Sequence, residues 1–213
     1  MRTAEFILLI FNCKKYKFKA LKQRTTWLHN FTLIPYYHVI GDPNLDTDYL
    51  FDETDKILYV KTKDDYISLP KKVISAYEAI NKEFIFKYIF KTDDDQHLTN
   101  NKFFNIIINL LLTKQPTIHY GGHIVNVEKS HYSDYYKIHP ELPKNIIVSE
   151  TIYCSGRFYI LSDLAVHYLL TKKQQIWNEY FEDYAIGYYL NPILKHSILK
   201  IPTNKYFVDN IFT

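Results

Sequence analysis

The run Phe84-Ile85-Phe86-Lys87-Tyr88-Ile89-Phe90 is followed at once by Lys91-Thr92-Asp93-Asp94-Asp95. Aromatic and β-branched residues in such a run read as a buried strand. Three adjacent carboxylates repel one another. A fold keeps them at a strand end when something positive neutralises them. Mg²⁺ and Mn²⁺ take oxygen ligands and share their coordination with a substrate's phosphates. The expectation is a metal–diphosphate site at the C-terminal edge of a sheet. The alternative is an ordinary turn, because Asp bonds its own backbone there.

Other segments supply the frame. Phe6-Ile7-Leu8-Leu9-Ile10-Phe11 reads as a fully buried strand. Phe18, Leu21 and Leu28 have helical spacing and predict a helix over about 15–30. Strands are expected at 32–40, 56–60, 84–90, 117–125 and 153–161. Ser68-Leu69-Pro70 predicts a helix opened by a hydroxyl cap and a first-turn Pro. Further helices are expected at 102–113, from Ser162-Asp163 to Leu170, and from Phe181 to Leu190. Residues 126–150 read as a polar loop region. Strands and helices alternate, and nothing resembling a linker divides the chain. The fold class is therefore α/β, one domain over 1–213, a sandwich around a mixed, mostly parallel sheet. Ligands of such sheets collect beyond the carboxyl ends of the strands.

Composition narrows the function. The net charge is only +3 and no basic cluster interleaves with aromatics, so no nucleic-acid partner is expected. Cys13 and Cys154 have no metal-type spacing, which argues against zinc. The apolar stretches at 6–11 and 103–112 are too short or too broken to span a membrane. The expectation is a soluble, cytoplasmic chain without signal peptide or membrane anchor.

A second acidic pair, Glu182-Asp183, falls where the last helix begins. The helix dipole favours ionised carboxylates there, and an ionised carboxylate beside a hydroxyl is a general base. Acidic residues are also common at ordinary helix starts.

Taken in order, several segments resemble the β-1,3-galactosyltransferase and Fringe-like glycosyltransferases of family 31, which have the GT-A fold. They are the strand at 6–11, Arg24-Thr25-Thr26-Trp27, the set Asp64, Tyr66, Leu69 and Lys72, then Lys91-Thr92-Asp93-Asp94-Asp95. Tyr120-Gly121-Gly122, Tyr153-Cys154-Ser155-Gly156 with Tyr159-Ile160-Leu161-Ser162, and Glu182-Asp183 with Gly187 continue the likeness to about residue 197. Departures are Ser68 and Pro70 for the usual Asn and Thr, Phe158 for a usual Gly, and Arg157 before it. The last two are expected to reshape the sugar or acceptor pocket.

The resemblance implies a UDP-sugar donor, Mn²⁺ or Mg²⁺ on its diphosphate, and a glycan or glycoconjugate acceptor. It implies Asp93 and Asp95 as metal ligands, with His196 of Leu194-Lys195-His196-Ser197 as a third. Asp93 and Asp94 would also lie near the nucleoside and sugar. Phe11 and Asn12 would lie near the nucleoside. Tyr153, Ser155 and Gly156 would line the sugar side. Arg24 and Lys72 are candidates for diphosphate or base-edge contacts, or for ion pairs with the aspartates. Inversion at the anomeric carbon needs one base, Asp183 or else Glu182. Trp27 is expected in the core, and Trp177 either stacks on an acceptor sugar or is structural. The rival readings are an inactive sugar-binding domain and a phosphoryl-transfer enzyme with clustered Asp. A Gly-x-x-x-x-Gly-Lys loop, which the latter often uses, does not occur in the sequence.

Overall fold

The structure is a computed structural model that describes residues 1–209. β1 (Arg2–Thr3) precedes β2 (Phe6–Phe11), and α1 (Lys17–Thr25) follows a 3-10 turn at Lys14–Tyr16. Next come β3 (Tyr36–Gly41), β4 (Tyr49–Asp52), β5 (Ile57–Val60) and α2 (Leu69–Glu83). β6 (Phe84–Ile85), β7 (Tyr88–Asp93) and β8 (Gln96–Leu98) lead to α3 (Phe103–Thr113). β9 (Tyr120–Val127), β10 (His131–Tyr132), β11 (Ile147–Val148) and β12 (Thr151–Ser162) follow. α4 (Asp163–Thr171), α5 (Lys173–Trp177), α6 (Glu182–Tyr189), β13 (Leu199–Lys200) and β14 (Phe207–Asp209) complete the order.

Eight strands form one sheet, ordered β13-β9-β12-β7-β2-β3-β5-β4. β7, β2, β3 and β5 run parallel, as does β13 on β9. β12 is antiparallel to both β7 and β9, and β4 to β5. The expected α/β sandwich with a mixed, largely parallel sheet is the one the chain forms.

The layers follow from strand alternation. Ile7, Leu9 and Phe11 of β2 join the core shared with α2, α4, α5 and α6. Phe6, Leu8 and Ile10 join the opposite core with α3. All six are buried, each contributing on the order of 1.5–3 kcal/mol. A run apolar at every position suits a strand covered on both faces.

Local departures have local causes. The 84–90 run is broken, because β6 pairs with β1 while the Lys87 N–H turns to the Glu5 carbonyl (2.8 Å). The first helix ends at Thr25, and Phe18 and Leu21 point outward while Leu28 is buried in the turn beyond. Ser68 makes no side-chain cap; Asp65 instead accepts the Ser68 N–H (2.8 Å). Ser162 does cap α4, accepting from the Ala165 N–H (3.2 Å). The segment expected as a polar loop holds the β10–β11 pair and a 3-10 turn at Tyr135–Lys137. α6 lies directly on β12, so that a Cβ at Gly187 would overlap Tyr153. Among the described residues no helix is long and apolar enough to cross a membrane.

Candidate active site

β2 and β7 end side by side, with Phe11 paired to Asp93. The chain therefore leaves the sheet at one edge with Asn12-Cys13 from one strand and Asp94-Asp95 from the other. The Asp94 N–H bonds the Phe11 carbonyl (3.1 Å) and locks the two exits together. β12 arrives from the opposite direction, Phe158 facing Thr92. Its pairing with β9 is irregular between Cys154 and Tyr159. Such irregularities bend a strand next to a site, and this one brings Ser155 and Gly156 to the same edge. α6 starts there with Glu182 and Asp183 in its first turn.

These ends enclose a cleft of about 1050 Å³. Phe11, Asn12, Lys72, Asp93, Asp94, Asp95, Tyr153, Ser155, Gly156, Glu182 and Asp183 all line it. Gly156 marks the junction. A Cβ there would lie 3.4 Å from Asp93 Oδ2 and 3.6 Å from Asp183 Oδ2. The two acidic motifs, ninety residues apart in sequence, thus flank one peptide.

Arg24 and His196 lie elsewhere. Arg24 donates to the Asp55 carbonyl, in the turn between β4 and β5, and does not line the cleft. His196 sits in the turn after α6, its N–H on the Ile193 carbonyl (3.2 Å). His196 is not among the residues that line the cleft. Trp177 packs against the helical core beneath the Lys71 and Lys173 ammonium groups, not in the cleft. Phe158 is fully buried among Phe90, Phe103, Phe104 and Phe207, so it shapes the core and leaves the pocket unaltered. Arg157 does line the cleft and grips both carboxylate oxygens of Asp209 (2.9 Å each). Trp27 stacks on Phe104 as a core-side residue.

The electrostatics set the carboxylates apart. Burial, with Glu182 and Asp95 adding like charge, pushes Asp93 up to about 6 against the pull of Lys91. Burial pushes Asp94 up to about 7, opposed by Lys19 at 3.3 Å. Burial also raises Asp183, against Lys91 and two backbone N–H donors, Gly156 (2.9 Å) and Tyr184 (2.8 Å). Glu182 is 4 % exposed. One of its oxygens takes Lys91 Nζ (3.0 Å) and the other the Tyr159 hydroxyl. Tyr159 in turn meets the Tyr77 hydroxyl (2.6 Å).

Eight carboxylates and four cationic side chains line the cleft, which leaves a surplus of negative charge. No group of three metal-capable side chains converges among the described residues. Asp93 and Asp95 both line the cleft and carry the carboxylate oxygens that hard divalent cations take. That donor set suits Mg²⁺ or Mn²⁺, which keep several positions for water and phosphate.

Other lining residues take up definite surroundings, and His139 is one that the motifs do not include. Asp64 accepts Lys72 Nζ (2.8 Å), the Gly41 N–H (2.8 Å) and the Lys14 N–H (2.6 Å), so Lys72 has an ion-pair partner. The Asn12 side-chain nitrogen, in a residue 3 % exposed, has no hydrogen-bond partner. His139 stacks on Tyr66 (3.9 Å between centroids) and on Tyr135 (5.7 Å), joining the 126–150 segment to the approach to α2. Only long-range contact reveals that stack. Lys91 was legible in principle: alternation puts it with Ile89 and Asp93 on a covered face, where a cation needs partners.

The sequence model of the family described as galactosyltransferase matches residues 20–197. The chain belongs to that family. Among solved structures, a glycosyltransferase involved in glycosylation of the major capsid of PBCV-1 is 12% identical with a TM-score of 0.52. That match covers 92% of this chain and 80% of the other. At this identity it bears on the fold alone, a GT-A-like glycosyltransferase fold. A Pyrobaculum calidifontis mannosyltransferase in complex with GDP-Man and Mn²⁺ is 10% identical, with TM-score 0.43, covering 79% of this chain and 47% of that one. A Francisella tularensis 2-C-methyl-D-erythritol 4-phosphate cytidylyltransferase is also 10% identical, with TM-score 0.48, over 100% and 95%. No curated protein matches.

Proposed function

We propose that this member of the galactosyltransferase family is a metal-dependent, inverting glycosyltransferase of the β-1,3-galactosyltransferase and Fringe-like kind. It moves a hexose or N-acetylhexosamine from a UDP-sugar to a hydroxyl of a glycan or glycoconjugate. The observation that carries the reading is the convergence of Asp93 and Asp183 on Gly156, each with an oxygen within 3.6 Å of where a Cβ on that residue would stand. In this reading one acidic motif binds a charged donor and the other receives a proton.

Asp93 and Asp95 are the residues that would hold Mn²⁺ or Mg²⁺, which as a Lewis acid neutralises charge on departing UDP. Asn12, with its unpartnered amide nitrogen, offers a donor to the nucleoside. Asp183 takes the acceptor hydroxyl's proton as the new glycosidic bond forms opposite the leaving group. Two backbone N–H groups hold its oxygens, and each oxygen keeps a lone pair for that proton. Glu182 is the weaker candidate, because Lys91 and Tyr159 occupy both its oxygens.

A panel of UDP-sugars assayed for UDP release, with Mn²⁺ and with chelator, tests the reading. Metal-dependent release from at least one donor is the expected result. Binding of UDP without any turnover would favour the inactive sugar-binding alternative.

A further inference from the structure

Lys91 is a buried cation that the reaction above does not use. It is 1 % exposed, and its ammonium makes three contacts. They are Asp93 Oδ1 at 2.8 Å, Glu182 Oε2 at 3.0 Å and the Gly156 carbonyl at 2.9 Å. The ammonium donates hydrogen bonds to Glu182 and Gly156, and Asp93 pairs with it as a counter-charge. The Phe11 and Tyr159 rings flank it at 5.7 and 5.5 Å. The Gly156 peptide whose carbonyl Lys91 holds gives its N–H to Asp183 Oδ2 (2.9 Å). Lys91 thus reaches Asp183 by two routes: through the Gly156 peptide, and through Glu182, the residue before it in α6.

We infer that Lys91 is a positioning residue, which sets the Gly156 peptide and the first turn of α6 so that Asp183 faces the sugar-binding side of Asp93. This rests on the proposed glycosyl transfer. Neutralising Glu182 would take only one compact contact. Here the same nitrogen ties together three segments: β7, the bend of β12 and the start of α6. A Cβ on Gly156 would stand 3.1 Å from Lys91 Nζ, so the peptide already sits at contact distance. A displacement of about 1 Å in such a constellation costs about a hundredfold in rate. Lys91 touches neither sugar nor acceptor in this scheme, so substrate binding should survive its loss better than turnover.

The test removes Lys91 and Glu182 together, because Glu182, 3 % exposed, would otherwise stay as a buried unpaired carboxylate; Asp93, the other partner, is 32 % exposed. In the double variant Lys91→Met/Glu182→Gln, UDP affinity and donor KM, measured with Mn²⁺ raised to saturation because Lys91 also contacts Asp93, should stay within about threefold of wild type, while kcat falls about a hundredfold. Unchanged kcat, or kcat and UDP affinity falling by the same factor, would overturn the inference. A crystal structure of the double variant needs no turnover. Asp183 should leave the Gly156 N–H, and an unmoved Asp183 would overturn the assignment. Gly156→Ala disturbs the same peptide without removing a buried charge, and should show the same split between kcat and UDP affinity. If wild type releases no UDP from any donor, the proposed activity fails. The position of Asp183 in the variants then still decides the role of Lys91.

Discussion

Asp64 and His139 both border the cleft, but they are held in unlike ways. Asp64 accepts two backbone N–H groups and Lys72 Nζ, all within 2.8 Å. It belongs to the part built on β2, β3 and α2, where charges are locked by short contacts. His139 belongs to the segment between β9 and β12, which reaches across by ring stacking and a hairpin of two residue pairs. The first part suits a ligand of fixed charge and shape, such as a nucleoside diphosphate. The second offers aromatic faces that can shift a little without breaking a charge pair. Substrate choice at the acceptor should be the more easily altered.

The contrast can be broken or sharpened by experiment. The largest effect is expected at Asp183. Asp183→Asn should lower kcat by about 10²–10⁴-fold with UDP affinity retained, as read by steady-state kinetics and calorimetry. Glu182→Gln with the same loss and unchanged stability would move the base to Glu182. Next is Lys72, buried against Asp64. Lys72→Met should cost about 3 kcal/mol in urea unfolding, because the remaining carboxylate loses its partner. A cost below about 1 kcal/mol would mean that this part is no better braced than a surface pair.

His38 of β3 gives a third check. It is buried without a partner for either ring nitrogen, and burial, with Arg24 adding repulsion, lowers it to about 3. Above the unfolded value of 6.5 both states are neutral and its contribution is complete. As pH falls toward 3 only the unfolded chain gains the proton, so stability drops by about 1.4 kcal/mol per pH unit. Asp93 and Asp94 are raised and work in the opposite sense. The measurement is therefore wild type minus His38→Leu, at pH 7 and pH 4.5, and parallel pH profiles would refute the assignment. The smallest effect is expected in the stacked segment. His139→Ala should raise acceptor KM by about two- to tenfold, the worth of an aromatic pair, with donor KM unchanged. An equal rise in donor KM would show that the segment serves both substrates.

The same contrast explains what the sequence revealed. Phe6–Phe11 and the Asp93–Asp95 exit were legible because strand alternation and charge crowding are local. Asp183 was legible because helix starts have a local signature. Arg24 and His196 were placed by analogy of position, and their surroundings depend on where helices end and turn. α1 stops at Thr25 and His196 falls in a turn, and neither fact is written in residue spacing. Phe158 was judged by its size, but strand parity sends it to the far core. The ring stack of Tyr66, His139 and Tyr135 joins residues more than sixty apart, for which a single sequence carries no pattern.

The near-collision at Gly187 has a further meaning. With no side chain between them, helix and strand meet backbone to Cβ, and any residue larger than hydrogen would wedge them apart. The height of the acid pair over the sheet is then indexed mechanically, like a shaft seated against a shoulder. A methyl group placed there, several residues from any reacting atom, should detune the chemistry by tilting its mounting.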